Sequence, residues 1–290
     1  MDASAPAVGR FRGFALSSRA LRLLTFANAG MLVLIVATGA TVRLTGSGLG
    51  CEHWPGCQPH HFEPKSFHSY IEFGNRVFAF LTILCTLVTW IFARGHRRLA
   101  FVVFLGTFLQ APLGALTVHF GLNPWLVLSH FLLSLVVLTL AVMLALEVRG
   151  GMRTPLPTWV PRTGLLVGIA GGVLVLSGTL ATAAGPHPGS TVVRRLWSFQ
   201  PAVYWHVRAT AVFGIAFAVV LVWLVRHRAS QVREAYVLLG LLAVQMAIGE
   251  TQYRTHLPWW LVLVHVTVAA TVWAALTTFV YSLWQPRRMS

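Results

Sequence analysis

The sequence predicts an all-α integral membrane protein in which eight transmembrane helices form two repeated four-helix bundles. Hydrophobic residues make up 56% of the 290 residues and charged residues only 10%, whereas a soluble domain carries about 25% charged residues. The apolar residues fall into eight long runs, and one segment of the chain is repeated. The first two observations exclude a water-soluble protein, and the third indicates two halves.

Eight apolar runs occupy nearly the whole chain, and each approaches the ~20 residues that cross the hydrocarbon core as a helix. The first run is longer than the core of a signal peptide and no small-residue cleavage site follows it, so it is retained as a helix. Asn123-Pro124 and Pro258 mark tight turns after the third and seventh helices. Longer loops, 45–69 and 185–200, follow the first and fifth helices. The predicted helices are 22–44, 70–93, 99–119, 125–147, 163–184, 201–225, 235–254 and 259–283.

The net charge of +15 is read as membrane topology and not as a nucleic-acid surface. Basic residues cluster between alternate helices, as the positive-inside rule requires. This pattern predicts a multi-pass protein of the bacterial cell membrane with both termini in the cytoplasm. The clusters are Arg10, Arg12, Arg19 and Arg22; Arg94, Arg97 and Arg98; Arg149, Arg153 and Arg162; Arg226, Arg228 and Arg233; Arg287 and Arg288.

Residues 110–130 align without a gap on residues 245–265, at a constant offset of 135. Apolar composition explains matched leucines, but it does not place glutamine, glycine, tryptophan and histidine in the same register. Four helices separate the copies, so both halves have the same orientation across the membrane. We therefore predict an N-terminal half, 1–148, and a C-terminal half, 149–290. The matched polar and aromatic positions are Gln110 and Gln245, Gly114 and Gly249, Trp125 and Trp260, His130 and His265.

Three of the 12 histidines lie inside apolar helices: His130, His206 and His265. Each lies about six residues, or ~9 Å, into an even-numbered helix from its outer end. Imidazoles are costly in a membrane helix and indicate function, although hydrogen bonds between helices are an alternative. Their common depth favours metal ligation. Most other histidines are expected to be solvated or interfacial: His53, His60, His61, His68, His96, His187, His227 and His256.

The expected ligand of these histidines is a heme. A compact zinc or copper site needs ligands within about 2 Å of one ion, commonly with cysteine or carboxylate neighbours, and the three histidines have none nearby in sequence. A heme instead accepts single histidines from different helices on its two faces. His206 and His265 belong to the same half, so they form the predicted axial pair.

In the first half, His130 is expected to pair with a position on the second helix, where Asn75 lies at the equivalent depth. Glu72, Asn75 and Arg76 share one face of that helix. One interpretation is a Glu72–Arg76 ion pair that only offsets the cost of burial. The other, which we favour, is that Glu72 moves protons or positions the substrate at a half-filled heme site.

Two cysteines, Cys51 and Cys57, bracket the sequence EHWPG in the first outer loop. An oxidising outer compartment and this short spacing favour a disulfide ring, with free thiols or a redox pair as alternatives. Cys85, inside the second helix, is expected to pack without chemistry.

Taken together, these motifs resemble the heme A synthase family over the whole chain. The resemblance rests on GATVRLTGSGLGCEHWPGC at 39–57, IEFGNRV at 71–77, the Ser-His pair at 129–130, SGTLATAAGPHPG at 177–189 and the histidines of the sixth and eighth helices. It implies oxidation of a ring methyl of heme O to the formyl group of heme A by successive hydroxylations.

The resemblance also implies residue roles. His206 and His265 would ligate heme b, His130 would ligate the iron of the substrate heme O, Glu72 would be an essential acid, and Cys51 with Cys57 would form the loop disulfide. One residue departs from the pattern: many members have histidine where this chain has Asn75, so the substrate iron would have an open face, a water or a contact with the amide. The arginines considered for the heme propionates are Arg43, Arg76 and Arg208, with snorkelling at helix ends as the alternative.

Two other functions are compatible with parts of this pattern. A bis-histidine electron-transfer cytochrome would use His206 and His265 but leaves Glu72 without a task. A transporter would relay protons through the histidines and predicts helices broken near the midplane. The predicted partners are heme O, membrane lipid, heme O synthase and cytochrome oxidase assembly factors, and a homo-oligomer is compatible with the sequence.

Overall fold

The computed structural model describes residues 16–58, 63–151, 155–190, 195 and 197–284. A one-turn 3-10 helix, Arg94–His96, joins the second helix to the third. Each of the eight α-helices in the described residues is long and apolar enough to cross a membrane. The predicted membrane fold class is therefore confirmed. The helices are α1 Ser18–Leu44, α2 Phe67–Phe92, α3 Arg97–His119, α4 Pro124–Arg149, α5 Trp159–Ala184, α6 Phe199–Arg226, α7 Val232–Arg254 and α8 Trp259–Trp284.

Several helices begin before the apolar run that predicts them. The start of α1 lies at Ser18, that of α5 at Trp159 and that of α7 at Val232. Arg19, Arg162 and Arg233 lie in or near these first turns. Hydropathy detects only the part of a helix that faces hydrocarbon, whereas the backbone hydrogen bonds continue into the polar boundary. Of the predicted arginine clusters, Arg10, Arg12, Arg153, Arg287 and Arg288 lie outside the described residues.

Polar caps determine where two of the helices on either side of the predicted site begin. Ser66 and Ser69 form a reciprocal capping box at the start of α2, which satisfies donors that a helix end leaves free. At the start of α4, the side chain of Asn123 accepts a hydrogen bond from the Trp125 N–H at 3.0 Å. Pro124 occupies the first turn, where its missing N–H costs nothing.

Threonines within the helices satisfy their hydroxyl groups locally. Each of several hydroxyls donates to the carbonyl oxygen four residues earlier, so no hydroxyl proton is left unpaired in apolar surroundings. These residues include Thr82, Thr107, Thr139, Thr179 and Thr271.

Four helices, α1, α4, α5 and α8, form the centre of the bundle. α1 packs against α4 and α8, and α8 packs against α4 and α5. Around this centre, α2 and α3 flank α1 and α4, while α6 packs on α5 and α7 packs on α8. The arrangement is not symmetric: α6 and α7 pack much less closely against each other than α2 and α3 do.

A tryptophan links helices α5–α8 to helices α1–α4 at a point farther along α8 than His265. The indole N–H of Trp273 in α8 lies 3.0 Å from the carbonyl oxygen of Leu135 and 2.9 Å from the hydroxyl of Thr139, both in α4. Trp273 also packs against a buried apolar cluster built mainly from α4, which includes Leu138 and Val142. A buried indole needs such an acceptor, so this contact sets how α8 lies against α4.

The loops that follow α1, α3, α5 and α7 lie at one end of the bundle, because successive helices alternate in direction. We call it the disulfide end, since Cys51 and Cys57 are bonded to each other in its first loop. The predicted disulfide is confirmed. Cys85 is a free thiol within α2.

Candidate functional site

One large cavity opens among the helices at the disulfide end. Its volume is about 2090 Å³, which is at least twice that of common small-molecule sites of about 300–1,000 Å³. Both halves contribute to its wall. The predicted site residues that line it are Glu72, Asn75, Arg76, His130, His206 and His265.

The three helical histidines lie at similar depths, as predicted. His130 is six residues from the start of α4 at Pro124, and His265 is six from the start of α8 at Trp259. His206 is seven residues from the start of α6 at Phe199. At 1.5 Å per residue, all three lie about 9–10 Å into their helices.

His206 is oriented by a hydroxyl on the neighbouring helix. Its Nδ1 atom lies 3.1 Å from the Oγ atom of Ser177 in α5. This contact uses one ring nitrogen and leaves Nε2 for a ligand, which is the arrangement that orients ligating histidines in proteins.

His130 and His265 are held by glutamines at equivalent positions. The Gln110 amide N–H donates to the carbonyl oxygen of His130 at 3.3 Å, and the Gln245 amide N–H donates to that of His265 at 3.2 Å. Gln245 also donates to Nε2 of His265 at 3.0 Å. The Nδ1 atoms of both histidines are buried without a hydrogen-bond partner. Buried polar atoms are nearly always paired, so these two nitrogens indicate that a ligand belongs in the cavity.

Each imidazole packs against a glycine of the preceding helix. A Cβ atom added at Gly178 would lie 2.9 Å from Cε1 of His206, and one added at Gly249 would lie 3.1 Å from Cε1 of His265. The corresponding distance from Gly114 to His130 is 3.6 Å. Because glycine has no side chain, the two helices of each pair can approach closely enough to confine the imidazole ring.

Asn75 occupies the corresponding place on α2. Its Oδ1 atom accepts a hydrogen bond from the Thr38 hydroxyl at 2.7 Å. A Cβ atom added at Gly39 of α1 would lie 4.0 Å from the same oxygen. A hydroxyl followed by a glycine therefore faces Asn75, as Ser177 and Gly178 face His206.

Glu72 and Arg76 form the ion pair that the sequence suggested. Glu72 is only 4% exposed, and its Oε1 atom lies 2.5 Å from Nη2 of Arg76. Its Oε2 atom accepts from the Cys51 N–H at 2.8 Å. Arg76 continues into the loop, donating to the carbonyl oxygens of His53 at 2.6 Å and Gly56 at 2.5 Å. The pair therefore holds the disulfide loop on α2, and it does so at the wall of the cavity.

Two further arginines line the cavity near the disulfide end. Arg43 of α1 donates to the carbonyl oxygens of His187 at 3.0 Å and Thr182 at 2.9 Å, and no described carboxylate pairs with it. The guanidinium of Arg208 lies 3.2 Å from the centre of the Tyr204 ring, a cation–π contact. Both arginines could receive an anionic group, whereas Arg76 is already engaged.

Hydrogen bonds join the loops of the disulfide end into a roof over the cavity. The Gly48 N–H donates to Gly189 O at 3.2 Å, which joins the first and third loops. His187 Nε2 lies 2.9 Å from Leu257 O, which joins the third and fourth. His187 was expected to be solvated or interfacial, but it lines the cavity and links two loops. His60 and His61 lie outside the described residues.

Sequence reasoning missed Thr38, Ser177 and Gly178, which act across helices, and it placed Gly114 and Gly249 in register without showing that they face imidazoles. The repeat placed Gln110 and Gln245 in register without showing that they contact histidine backbones. A glycine preceded by a hydroxyl residue near the outer end of a helix, Thr38-Gly39 in α1 and Ser177-Gly178 in α5, was the available signal. In the described part of the chain, no three His, Cys, Asp or Glu side chains cluster as a compact ion site requires.

These features define a multi-pass membrane protein whose central cavity receives imidazoles from three helices at one level. The model of the COX15-CtaA family, described as cytochrome oxidase assembly protein, matches residues 22–277. The chain therefore belongs to this family.

Curated relatives share about a third of the residues over shorter regions. The chain is similar to heme A synthase of Bacillus pumilus (strain SAFR-032), with 34% identity over 145 residues, which are 47% of each chain. Heme A synthase of Geobacillus kaustophilus (strain HTA426) is 33% identical over 40% of each chain. That of Listeria monocytogenes serotype 4a (strain HCC23) is 35% identical over 39% of each. The chain thus spans less than half the length of these relatives.

Proposed function

We propose that this protein is a heme A synthase, which oxidises a ring methyl group of heme O to the formyl group of heme A. The methyl carbon would be hydroxylated in successive steps. The hydroxylated product would then lose water to give the formyl group. One observation carries the proposal: a single cavity takes histidines from α4, α6 and α8 at one level, with Asn75 of α2 in the fourth such position. Family membership and the name of the relatives support the choice of substrate.

The donor set fits hemes better than a small ion. Three imidazoles on three helices line one cavity of about 2090 Å³, and the buried Nδ1 atoms of His130 and His265 lack partners. Single histidines approaching a wide planar ligand from separate helices are typical of membrane heme sites. A cavity at least twice the common size suits two such ligands.

We assign His206 and His265 to a resident heme b in the C-terminal half, 149–290. Ser177 engages Nδ1 of His206 and leaves Nε2 for iron. At His265 the ring nitrogen without a partner is Nδ1, which would bind the iron, while Gln245 would keep its bonds to Nε2 and to the main-chain oxygen. When bound, heme b would supply the one-electron redox chemistry that side chains lack.

We assign His130 to the iron of heme O in the N-terminal half, 1–148. The glutamine and glycine that face His130 match those that face His265, which supports two halves built alike. Asn75 replaces a ligating histidine, and an amide is a poor iron ligand. The substrate iron would therefore be held from one face by His130.

Glu72 is the proposed proton acceptor for oxidation of the methyl group. Arg76 and the Cys51 N–H hold the carboxylate in place through hydrogen bonds to its two oxygens. An ionised carboxylate at the wall of the cavity can take a proton released from substrate. Its contacts with the disulfide loop would also make the position of that loop sensitive to its charge.

Arg43 and Arg208 are the arginines available for heme propionates, because guanidinium groups match carboxylates. Both line the cavity near its disulfide end. Arg43 brings a cation without a described acidic partner to a loop of the other half. Arg76 is the weaker choice since its donors are used by Glu72 and the loop.

We place the protein in the bacterial cell membrane with both termini in the cytoplasm. The end of the bundle opposite the disulfide carries most of the described arginine clusters, such as Arg94, Arg97 and Arg98, in keeping with the positive-inside rule. Heme O synthase and assembly factors of cytochrome oxidase are the proposed partners that deliver heme O and receive heme A.

The test is to express the chain together with a source of heme O, extract the hemes and separate them by chromatography. Conversion of heme O to heme A is the expected result. A protein that binds heme but leaves heme O unchanged would favour the electron-transfer cytochrome, and a protein isolated without heme would exclude both functions.

A further inference from the structure

The fourth position of the histidine layer is equipped to orient a side chain, although it holds an asparagine. Thr38 of α1 donates its hydroxyl proton to Oδ1 of Asn75 at 2.7 Å. Gly39, the next residue, lies beside the same oxygen, and a Cβ added there would be in ordinary contact with it at 4.0 Å. Asn75 is thus held in a defined rotamer at the wall of the cavity.

The same device orients a histidine in the other half. There, Ser177 lies 3.1 Å from Nδ1 of His206, and Gly178 faces the ring. In both places a hydroxyl engages one polar atom of the side chain and leaves the other polar atom available. For His206 that atom is a ring nitrogen with a lone pair. For Asn75 it is an amide nitrogen with two protons.

At this position the chemistry therefore changes from ligation of iron to donation of a hydrogen bond. The carboxamide oxygen of Asn75 is engaged by Thr38, and none of the described residues accepts a hydrogen bond from its amide nitrogen. An amide N–H₂ group offers protons and has no lone pair suited to iron. Asn75 lines the same cavity as His130.

We propose that Asn75, oriented by Thr38, donates a hydrogen bond to a small oxygen ligand on the open face of the substrate heme that His130 carries. The ligand class is dioxygen, water or hydroxide. Hydrogen-bond donors facing the open side of a heme determine whether such ligands are bound or activated. The inference rests on the proposed function, and Thr38 acts in it as a positioning residue.

The experiment uses the full-length protein with heme b in the C-terminal half, loaded with ferrous protoheme as a stand-in for heme O and exposed to carbon monoxide. Only a heme with an open face binds this probe. A hydrogen bond to the bound molecule lowers its C–O stretching frequency, which infrared spectroscopy measures. Fluoride binding to the ferric form gives a second readout, because fluoride accepts hydrogen bonds strongly.

Replacement Asn75→Leu should raise the C–O frequency and weaken fluoride binding about 2- to 10-fold, the loss of one ordinary hydrogen bond. Thr38→Val should broaden the C–O band and shift it part of the way, because the amide is no longer held. Ser177→Ala is the matched control: it should leave the C–O band unchanged and alter only the spectrum of the His206 heme. In the Asn75 and Thr38 variants, an unchanged spectrum of the His206 heme also shows that the protein is folded.

A C–O band that does not move in Asn75→Leu would overturn this inference and leave the proposed function intact. Two other outcomes would contradict the proposed function itself. If the wild-type protein forms no carbon monoxide complex, or if His130→Ala forms the same complex as wild type, the substrate site in the N-terminal half is wrong, and the donor role of Asn75 falls with it.

Discussion

Replacement of Gly178 by alanine should weaken binding of the resident heme much more than any other glycine change in the histidine layer. The new Cβ would lie 2.9 Å from Cε1 of His206, where ordinary contact begins at 3.4 Å. The imidazole would have to move by about 0.5 Å, the tolerance of a preorganised ligand site. Without iron the ring can turn away, so the strain falls on the heme-bound state.

Overpacking of this kind costs about 1–3 kcal/mol, which corresponds to about 5- to 150-fold weaker heme binding. Gly249→Ala should have a smaller effect, because its Cβ would lie 3.1 Å from His265. Gly114→Ala should have almost none, because Gly114 faces His130, which is assigned to the substrate heme, and its Cβ would be in ordinary contact at 3.6 Å. Gly172→Ala, on the same helix as Gly178 but with nothing within 4 Å, is the control.

The assay is titration of heme into the purified, heme-depleted variants, followed by the absorption of the bis-histidine heme. Thermal unfolding of the same samples separates loss of the site from loss of the fold. If Gly178→Ala binds heme as tightly as Gly172→Ala does, or if the order of the three facing glycines is reversed, His206 is not held against α5 when it ligates iron.

Four further outcomes are expected. His206→Ala should abolish the low-spin spectrum of the resident heme, and a normal spectrum would refute the axial pair. Glu72→Gln should leave that heme in place and reduce conversion of heme O, whereas unchanged heme A output would make this carboxylate purely structural. Asn75→His should give a six-coordinate, low-spin substrate heme, because the Thr38 hydroxyl is already placed to orient the ring; a persistent high-spin signal would show that the side chain does not face the iron. Trp273→Phe should lower stability by about 0.5–1 kcal/mol in thermal unfolding, the worth of one hydrogen bond between helices, and an unchanged melting temperature would mean that the indole contact does not hold α8 against α4.

The fold was predictable because a bilayer imposes strong constraints on sequence. A run of about 20 apolar residues can cross hydrocarbon only as a helix, so helix number and approximate bounds follow from composition along the chain. The common depth of His130, His206 and His265 also follows, because a helix converts residue number into distance. Glu72 and Arg76 were found on one face for the same reason.

Contacts between helices could not be predicted in this way. Thr38 is 37 residues from Asn75, and Arg43 is 144 residues from His187. Periodicity within one helix carries no information about which residue of another helix lies opposite. The expectation that His187 is solvated or interfacial did not include its link to Leu257 for this reason, since a histidine in a loop looks the same in sequence whether or not a second loop covers it.

The hydrogen-bonded roof at the disulfide end bears on how a bulky planar molecule could leave the cavity. Exit through the disulfide end of the bundle would require the contacts of Gly48 with Gly189 and of His187 with Leu257 to break together. Sideways exit between α6 and α7 would break neither, and these two helices pack loosely against each other. The architecture thus favours traffic within the plane of the bilayer, where a hydrophobic product would already be dissolved and a membrane-bound recipient could collect it.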